Sequence, residues 1–280
     1  MTLTPAEPTP FRIPRGLRRV HERFVAGNRI HLLHDGSQAF PAMLAAIDSA
    51  THQVLLEMYW FDSDRIGRRF AQALMRAAQR GVEVAVIYDA VGSFGADPAQ
   101  FDEMQRAGVH VVEFNPVAPW KRRFRIARLT RRDHRKILVV DGRVGFTGGI
   151  NIADEWLPEE EEGGGFRDDM VCVEGPAVWG FVESFQRTYR RCGGLPLTRT
   201  ILQSAVREIG AGEIETRGQA AVTAEATQHV RVLGERFRRR DGSISRAYLS
   251  RMYRAHERIW LANSYFIPDR NVVRALIRAA

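Results

Sequence analysis

From Asn28 onward, apolar positions alternate between short strand-like runs and stretches spaced three and four residues apart. RIHLLHDG (29–36) predicts a strand stopped at Asp35-Gly36, and FPAMLAAIDSA (40–50) carries its apolar residues at helical spacing. HQVLLEMYWF (52–61), with β-branched and aromatic residues, predicts a buried strand. IGRRFAQALMRAAQRG (66–81) predicts a helix closed by Gly81, and VEVAVIYDAVG (82–92) a strand ending in Asp89. PAQFDEMQRAG (98–108) reads as a helix closed by Gly108, followed by the strand VHVVEF (109–114). Strands alternating with helices of this length imply right-handed crossovers. They predict an α/β fold with a mixed, largely parallel sheet flanked by helices.

The rhythm breaks at 115–132, a basic loop holding Trp120 and Phe124. KILVVDGRVGFTGG (136–149) then predicts two strands around an Asp141-Gly142 turn. Glu159–Glu162 with Gly163–Gly165 form an acidic, glycine-rich stretch expected to be a mobile loop. DMVCVEG (169–175) reads as a further strand and 177–191 as an amphipathic helix.

An internal repeat follows. AHERIWLANSYFIPD (255–269) aligns with ATHQVLLEMYWFDSD (50–64), and ALIRAA (275–280) with ALMRAA (73–78). The expected organisation is a basic arm at 1–27, a first domain at 28–195, a linker at 196–227, and the incomplete start of a second domain at 228–280. On this pattern the chain is expected to be one complete half plus the opening of another, with an unfinished sheet edge.

Composition narrows the classes. The 280 residues are 45% hydrophobic and 26% charged, which argues against wholesale disorder, collagen-like repeats or coiled coil. Two cysteines, Cys172 and Cys192, make no disulfide framework, and no Cys/His run has zinc-site spacing. No run approaches the roughly 20 apolar residues of a spanning helix, and the Pro-rich start lacks a signal peptide's apolar segment. The expectation is a soluble or peripheral protein. The net charge of +8 favours polyanionic partners, either nucleic acid, anionic lipid or a phosphorylated substrate. Nearly all the basic residues are Arg. Lys121 and Lys136 are the lysines, which makes the placement of Lys136 informative.

The chemistry concentrates in HRKILVVDGRVGFTGGIN (134–151). Side chains two apart on a strand share a face, so His134 and Lys136 point one way and Arg135 the other. An imidazole beside a fixed ammonium suits phosphoryl transfer, in which charge on the equatorial oxygens must be met. Gly148 and Gly149 would let backbone amides approach an oxyanion, and Asn151 can donate a hydrogen bond to it.

The spacing H-x-K-x4-D-x6-G-G-x-N resembles the HKD motif of the phospholipase D superfamily, spanning 128–155 here with its flanks. NIADEW (151–156), FRDDMVCVEGPAV (166–178), GNRIHLLHDGSQAFPAMLAAID (27–48) and NSYFIPD (263–269) are similar to bacterial cardiolipin synthases, of the type without amino-terminal membrane helices. The resemblance runs from about residue 27 to 280. It implies a phospholipase D-like fold and a phosphatidyltransferase that makes cardiolipin from two phosphatidylglycerol molecules, without metal or other cofactor.

The catalytic residues it implies are His134, Lys136, Asp141 and Asp168. His134 would attack phosphorus to give a phosphohistidine. Lys136 and Asn151, with Gly148 and Gly149, would hold the phosphate oxygens. Asp141 is expected to support the geometry rather than do chemistry. Asp168 would orient the imidazole, with Asp169 as the alternative.

One departure from the two-half members stands out: the chain has no second H-x-K. A second HKD half, in the same full-length chain or another subunit, would then complete the site. Alternatives from the same motif are a phospholipase D-type phosphodiesterase, a nuclease, or an inactive half-site that only binds. Lys121, Arg122, Arg123, Arg125, Arg128, Arg131, Arg132, Arg135 and Lys136, interleaved with Trp120, Phe124, Ile126 and Leu129, suggest docking on an anionic membrane surface. Nucleic acid is the other surface such a patch suits. The implied location is peripheral, on the cytoplasmic side of the bacterial inner membrane.

Overall fold

The computed structural model describes residues 24–121, 123–125, 130–197, 228–234, 242–263 and 265–280. Its elements follow the apolar pattern: β1 (Val25–His34), α1 (Asp35–Ser49), β2 (Gln53–Met58), α2 (Arg65–Gln79), β3 (Glu83–Asp89), α3 (Pro98–Arg106), β4 (His110–Phe114), β5 (Ile137–Val140), β6 (Val144–Gly148), β7 (Asp169–Glu174), α4 (Val178–Arg191), β8 (Gln228–Val230), α5 (Ser243–Met252) and α6 (Arg270–Ala279). Residues 1–23 of the expected basic arm, most of the expected linker, and Arg122 with residues 126–129 of the basic loop lie outside the described residues.

The strands form one mixed sheet in the order β4-β3-β2-β5-β6-β7-β1-β8. Parallel pairing is confined to β2–β3 and β3–β4, where helices α2 and α3 make the crossovers. The remaining pairs are antiparallel, so the expected large parallel share is corrected. The cause is local. The Asp141-Gly142 turn folds β6 straight back on β5, and β1 returns beside β7 instead of entering the parallel block. Asp141 and Gly142, the central residues of the turn closed by Arg143 N donating to Val140 O, both have positive φ, 50° and 64°, a conformation that Gly, Asn and Asp tolerate best.

Helices α1, α2 and α3 cover one face. Phe40, Met43, Phe70, Leu74 and Met104 pack there against Val54, Leu56, Val86, Leu138 and Phe146. Helix α4 covers the other face, burying Val178, Phe181, Val182, Phe185 and Tyr189. Strand β2 is buried along its whole length because both of its faces are covered.

Two boundaries move. The first compact unit runs Phe24–Val230, because β8 joins β1 as an edge strand. The acidic stretch expected to be mobile is tied by backbone bonds: Gly164 N donates to Asp154 O, Gly165 N to Leu157 O, and Phe166 N to Glu155 O.

The second unit's described residues begin at 231. Its α5 and α6 pack through Leu249, Met252 and Ala275. The repeat is visible in the helix starts: the Asp64 carboxylate caps α2 and the equivalent Asp269 caps α6. The segment matching β2 is irregular, however. It has no strand beside it among the described residues, and Trp260, Tyr265 and Ile267 are exposed.

Candidate active site

His134 and Lys136 sit just before β5, at the sheet edge where β2 and β3 end. The chain there is extended, and the predicted alternation holds: both side chains meet the ring of Tyr59, which follows β2. The imidazole and phenol centroids are 4.6 Å apart, and Lys136 Nζ lies 5.1 Å from the same centroid. The ammonium also donates to His134 O at 3.0 Å. His134 is exposed, whereas Lys136 is 3% exposed.

Partial desolvation against Tyr59 and the strand ends, and then the neighbouring ammonium, lower the pKa of His134, against the opposing pull of Asp133, Asp89 and Asp168. At neutral pH the ring is therefore the neutral, nucleophilic form. Burial pushes Lys136 down to about 8, although Asp168, Asp133 and Asp89 favour its charge. Its folded-state pKa lies below its ordinary 10.5, so charge on Lys136 costs stability below about pH 8. The cost is of the order of 3 kcal/mol and is released as pH rises from 8 toward 10.5. An apolar residue would suit the fold better; a buried ammonium suits an anion.

Asn151 is brought to the same place because the segments leaving β2 and β6 join each other. Trp60 N donates to Asn151 Oδ1 at 3.2 Å, and Ile152 N to Trp60 O at 3.0 Å. This fixes the amide of a 5% exposed side chain, leaving Nδ2 without a protein acceptor among the described residues.

Asp168 acts on both His134 and Lys136 electrostatically, but no hydrogen bond joins it to the imidazole. Asp169 is turned away, with its Oδ1 2.8 Å from His34 Nδ1.

The glycines correct an expectation. The Gly149 amide donates to Asp169 O at 3.0 Å, so it is committed within the protein rather than presented to an oxyanion. The need for glycine is steric instead. A Cβ at Gly149 would lie 2.1 Å from Asp168 Oδ1, and one at Gly148 2.3 Å from Asp169 O.

Asp141 lies at the opposite end of β5, about 16 Å from Lys136 at an extended rise of ~3.3 Å per residue. Its Oδ1 accepts from His52 N and Gln53 N, and its Oδ2 from Thr51 N and Thr51 Oγ1, all at 2.8–2.9 Å. The structure thus removes Asp141 from the reacting centre and makes it the latch between the hairpin and the start of β2.

Sequence reasoning missed Tyr59, whose role depends on cross-strand placement and leaves no motif. It also overcounted the docking charge. Arg132 pairs with Asp89 at 3.3 Å, Arg135 with Glu57 at 3.2 Å, and Arg123 bonds Glu113 O and Cys192 O. These guanidiniums, with Lys136, are built into the fold. Lys121 is ion-paired to Glu113 at 2.6 Å, while Arg125 and Arg131 remain exposed. Among the described residues no group of His, Cys, Asp or Glu side chains is placed to hold a metal ion.

The family described as cardiolipin synthase, PLD-like domain, matches residues 43–164, which include every motif position. A cardiolipin synthase of Geobacillus kaustophilus is 33% identical over 251 residues, covering 89% of this chain and 46% of its own length. Cardiolipin synthase A of Pseudomonas putida is 34% identical over 254 residues, covering 90% and 48%. The chain spans about half the length of these curated relatives. The solved phosphatidylserine synthase of Haemophilus influenzae Rd KW20 shares the fold, with TM-score 0.60 and 13% identity over 92% of this chain and 61% of that one. Given the domain match through the HKD segment and relatives of this identity along most of the sequence, the chain belongs to the phospholipase D superfamily.

Proposed function

We propose that the whole protein is a phosphatidyltransferase that makes cardiolipin from two phosphatidylglycerol molecules through a phosphohistidine at His134. The observation that carries this reading is the accessible imidazole standing beside a buried ammonium on one aromatic floor. An imidazole nitrogen attacks phosphorus, and the bond from phosphorus to the departing glycerol oxygen breaks. Lys136 and Asn151 Nδ2 meet the charge on the non-bridging oxygens. The hydroxyl of a second phosphatidylglycerol then displaces the imidazole, so cardiolipin and one glycerol result. The departing oxygen takes a proton, and the incoming hydroxyl gives one up, at a group opposite His134. A second HKD half, in the same polypeptide or another copy, supplies that group in this reading.

The proposed working surface is the anionic cytoplasmic face of the bacterial inner membrane, engaged peripherally. Trp120 (85% exposed) and Phe94 (78%) lie on loops leaving β4 and β3, at the sheet end that carries His134. Arg125 and Arg131 belong to the same loop region, at about 1 kcal/mol of attraction per basic residue near such a surface. No described helix is long and apolar enough to cross a membrane.

Incubating the whole protein with phosphatidylglycerol vesicles tests the reading: cardiolipin and glycerol should appear in equal amounts. Release of phosphatidic acid instead would make it a phospholipase D-type phosphodiesterase, and cleavage of DNA without lipid turnover would make it a nuclease.

The pH dependence follows from the two shifts. Activity should fall on the acid side as His134 protonates, below its ordinary 6.5, and on the alkaline side near pH 8 as Lys136 loses its charge. Lys136→Arg should remove the alkaline fall in kcat/KM whatever its effect on the plateau, because a guanidinium keeps its charge there. An alkaline limb that persists in this variant would mean another group titrates.

A further inference from the structure

Behind the catalytic stretch, on the α4 side of the sheet, lies a buried cluster that the transfer mechanism does not use. Glu57 on β2 is 1% exposed and Asp133 is 4% exposed. Both carboxyls converge on one nitrogen: Arg135 Nη1 is 3.2 Å from Glu57 Oε1 and 3.3 Å from Asp133 Oδ1. The same nitrogen lies 3.0 Å from Thr188 Oγ1 on α4. Asp133 N donates to Asp89 Oδ2 at 2.8 Å, and Asp89 Oδ1 pairs with Arg132. The residues on either side of His134 are therefore each anchored to the body of the fold, by β2, β3 and α4.

The cluster is short of positive charge. Asp89 has Arg132, and Glu57 and Asp133 divide Arg135. Cys192, beyond α4, also feels both acids, and its thiol is held protonated by burial. Two oxygens, Glu57 Oε2 and Asp133 Oδ2, are buried without a hydrogen-bond partner. Buried orphans of this kind need an explanation, and two desolvated carboxylates side by side cannot both stay ionised. One proton held between those oxygens satisfies both atoms and balances the charge.

We propose that Glu57, Asp133 and Arg135 form a buried positioning clamp, with one proton shared by the two carboxyls, that sets the orientation of His134 and Lys136 from behind the sheet. The clamp's role in turnover rests on His134 being the nucleophile; its effect on the imidazole does not. Burial and the neighbouring Asp133 push the pKa of Glu57 well up, which puts the proton mainly on Glu57. Glu57 is then a neutral acid that an amide can replace, and an apolar group cannot.

The test compares Glu57→Gln with Glu57→Leu in the whole protein. The His134 ring is followed by NMR, assigned by its loss in His134→Asn, with circular dichroism as the check on folding. Glu57→Gln should keep the His134 resonances and kcat close to wild type. It should also remove a protonated-carboxyl C=O band from the infrared spectrum. Glu57→Leu should shift the His134 resonances and lower kcat by about tenfold to a hundredfold with little change in KM, the scale of a displaced catalytic group.

A folded Glu57→Leu with unmoved His134 resonances would overturn the clamp. So would a Glu57→Gln as perturbed as Glu57→Leu, or the absence of the carboxyl band in wild type. The carboxyl band, and the comparison of Glu57→Gln with wild type, remain readable if Glu57→Leu does not fold; a Glu57→Gln with shifted His134 resonances and lowered kcat then overturns the clamp. If His134→Asn leaves turnover intact while the resonances still respond to Glu57, the nucleophile assignment fails and the positional coupling stands.

Discussion

Replacing His134 by Asn should reduce transfer by about four to six orders of magnitude, the scale seen when a covalent nucleophile is removed. Asn is close to the imidazole in reach and polarity but cannot carry the phosphatidyl group. The fold should not notice. His134 is exposed, its ring rests on Tyr59, and no hydrogen bond of the core depends on its side chain. Thermal unfolding of the variant should therefore coincide with wild type while turnover in phosphatidylglycerol vesicles disappears. An acid-labile phosphoenzyme, trapped in the wild type by quenching during turnover, should be missing from the variant. Unchanged turnover in His134→Asn would remove the active site from this strand edge altogether.

Asp141→Ala should do the reverse, destabilising the protein while sparing the chemistry. Its carboxylate gathers three backbone amides, those of Thr51, His52 and Gln53, and the Thr51 hydroxyl. Alanine leaves those donors to find water. The site is half-exposed, so water recovers part of the loss, and the expected cost is about 2 kcal/mol rather than the sum of four charged bonds. That corresponds to about 4–8 °C in Tm for a domain of this size. Alanine is also poorly suited to the positive φ of 50° at this turn position, which adds to the loss.

The pH dependence is diagnostic. Burial alone would raise the Asp141 pKa, but the hydrogen bonds outweigh it and hold the carboxyl below its ordinary 3.8. A depressed folded-state pKa gives stability that is present above the unfolded value and lost as pH falls through the folded one. The gap in Tm between wild type and Asp141→Ala should thus be constant near neutrality and narrow below about pH 4. Below the transition temperature, kcat should stay within a few-fold of wild type. A large fall in kcat at full foldedness would return Asp141 to the chemistry.

The contrast between these residues shows how far a linear motif can be taken. His134, Lys136, Asp141, Gly149 and Asn151 stand at fixed spacing, yet they do unlike jobs. Spacing placed His134 and Lys136 on one face because alternation in an extended chain is a local property. It could not separate Asp141 from them, because strand length is what carries Asp141 to the far end of β5. Nor could it tell a glycine that offers its amide from one that makes room for a carboxylate. That depended on the Asp168 side chain arriving from the start of β7.

By itself, the sequence determined the helices of the first half and most of the strands, the hairpin at Asp141-Gly142, and the pairing of His134 with Lys136. Each of these rests on interactions between residues close along the chain. Tertiary structure decided which strands run antiparallel, since the alternation of apolar residues is the same in either direction. It also decided that Tyr59 lies beneath His134 and Lys136, that Asp169 turns to His34 while Asp168 faces that pair, and that Glu57, Asp89 and Asp133 gather behind it. Those contacts join residues tens of positions apart, and strand register brings them together.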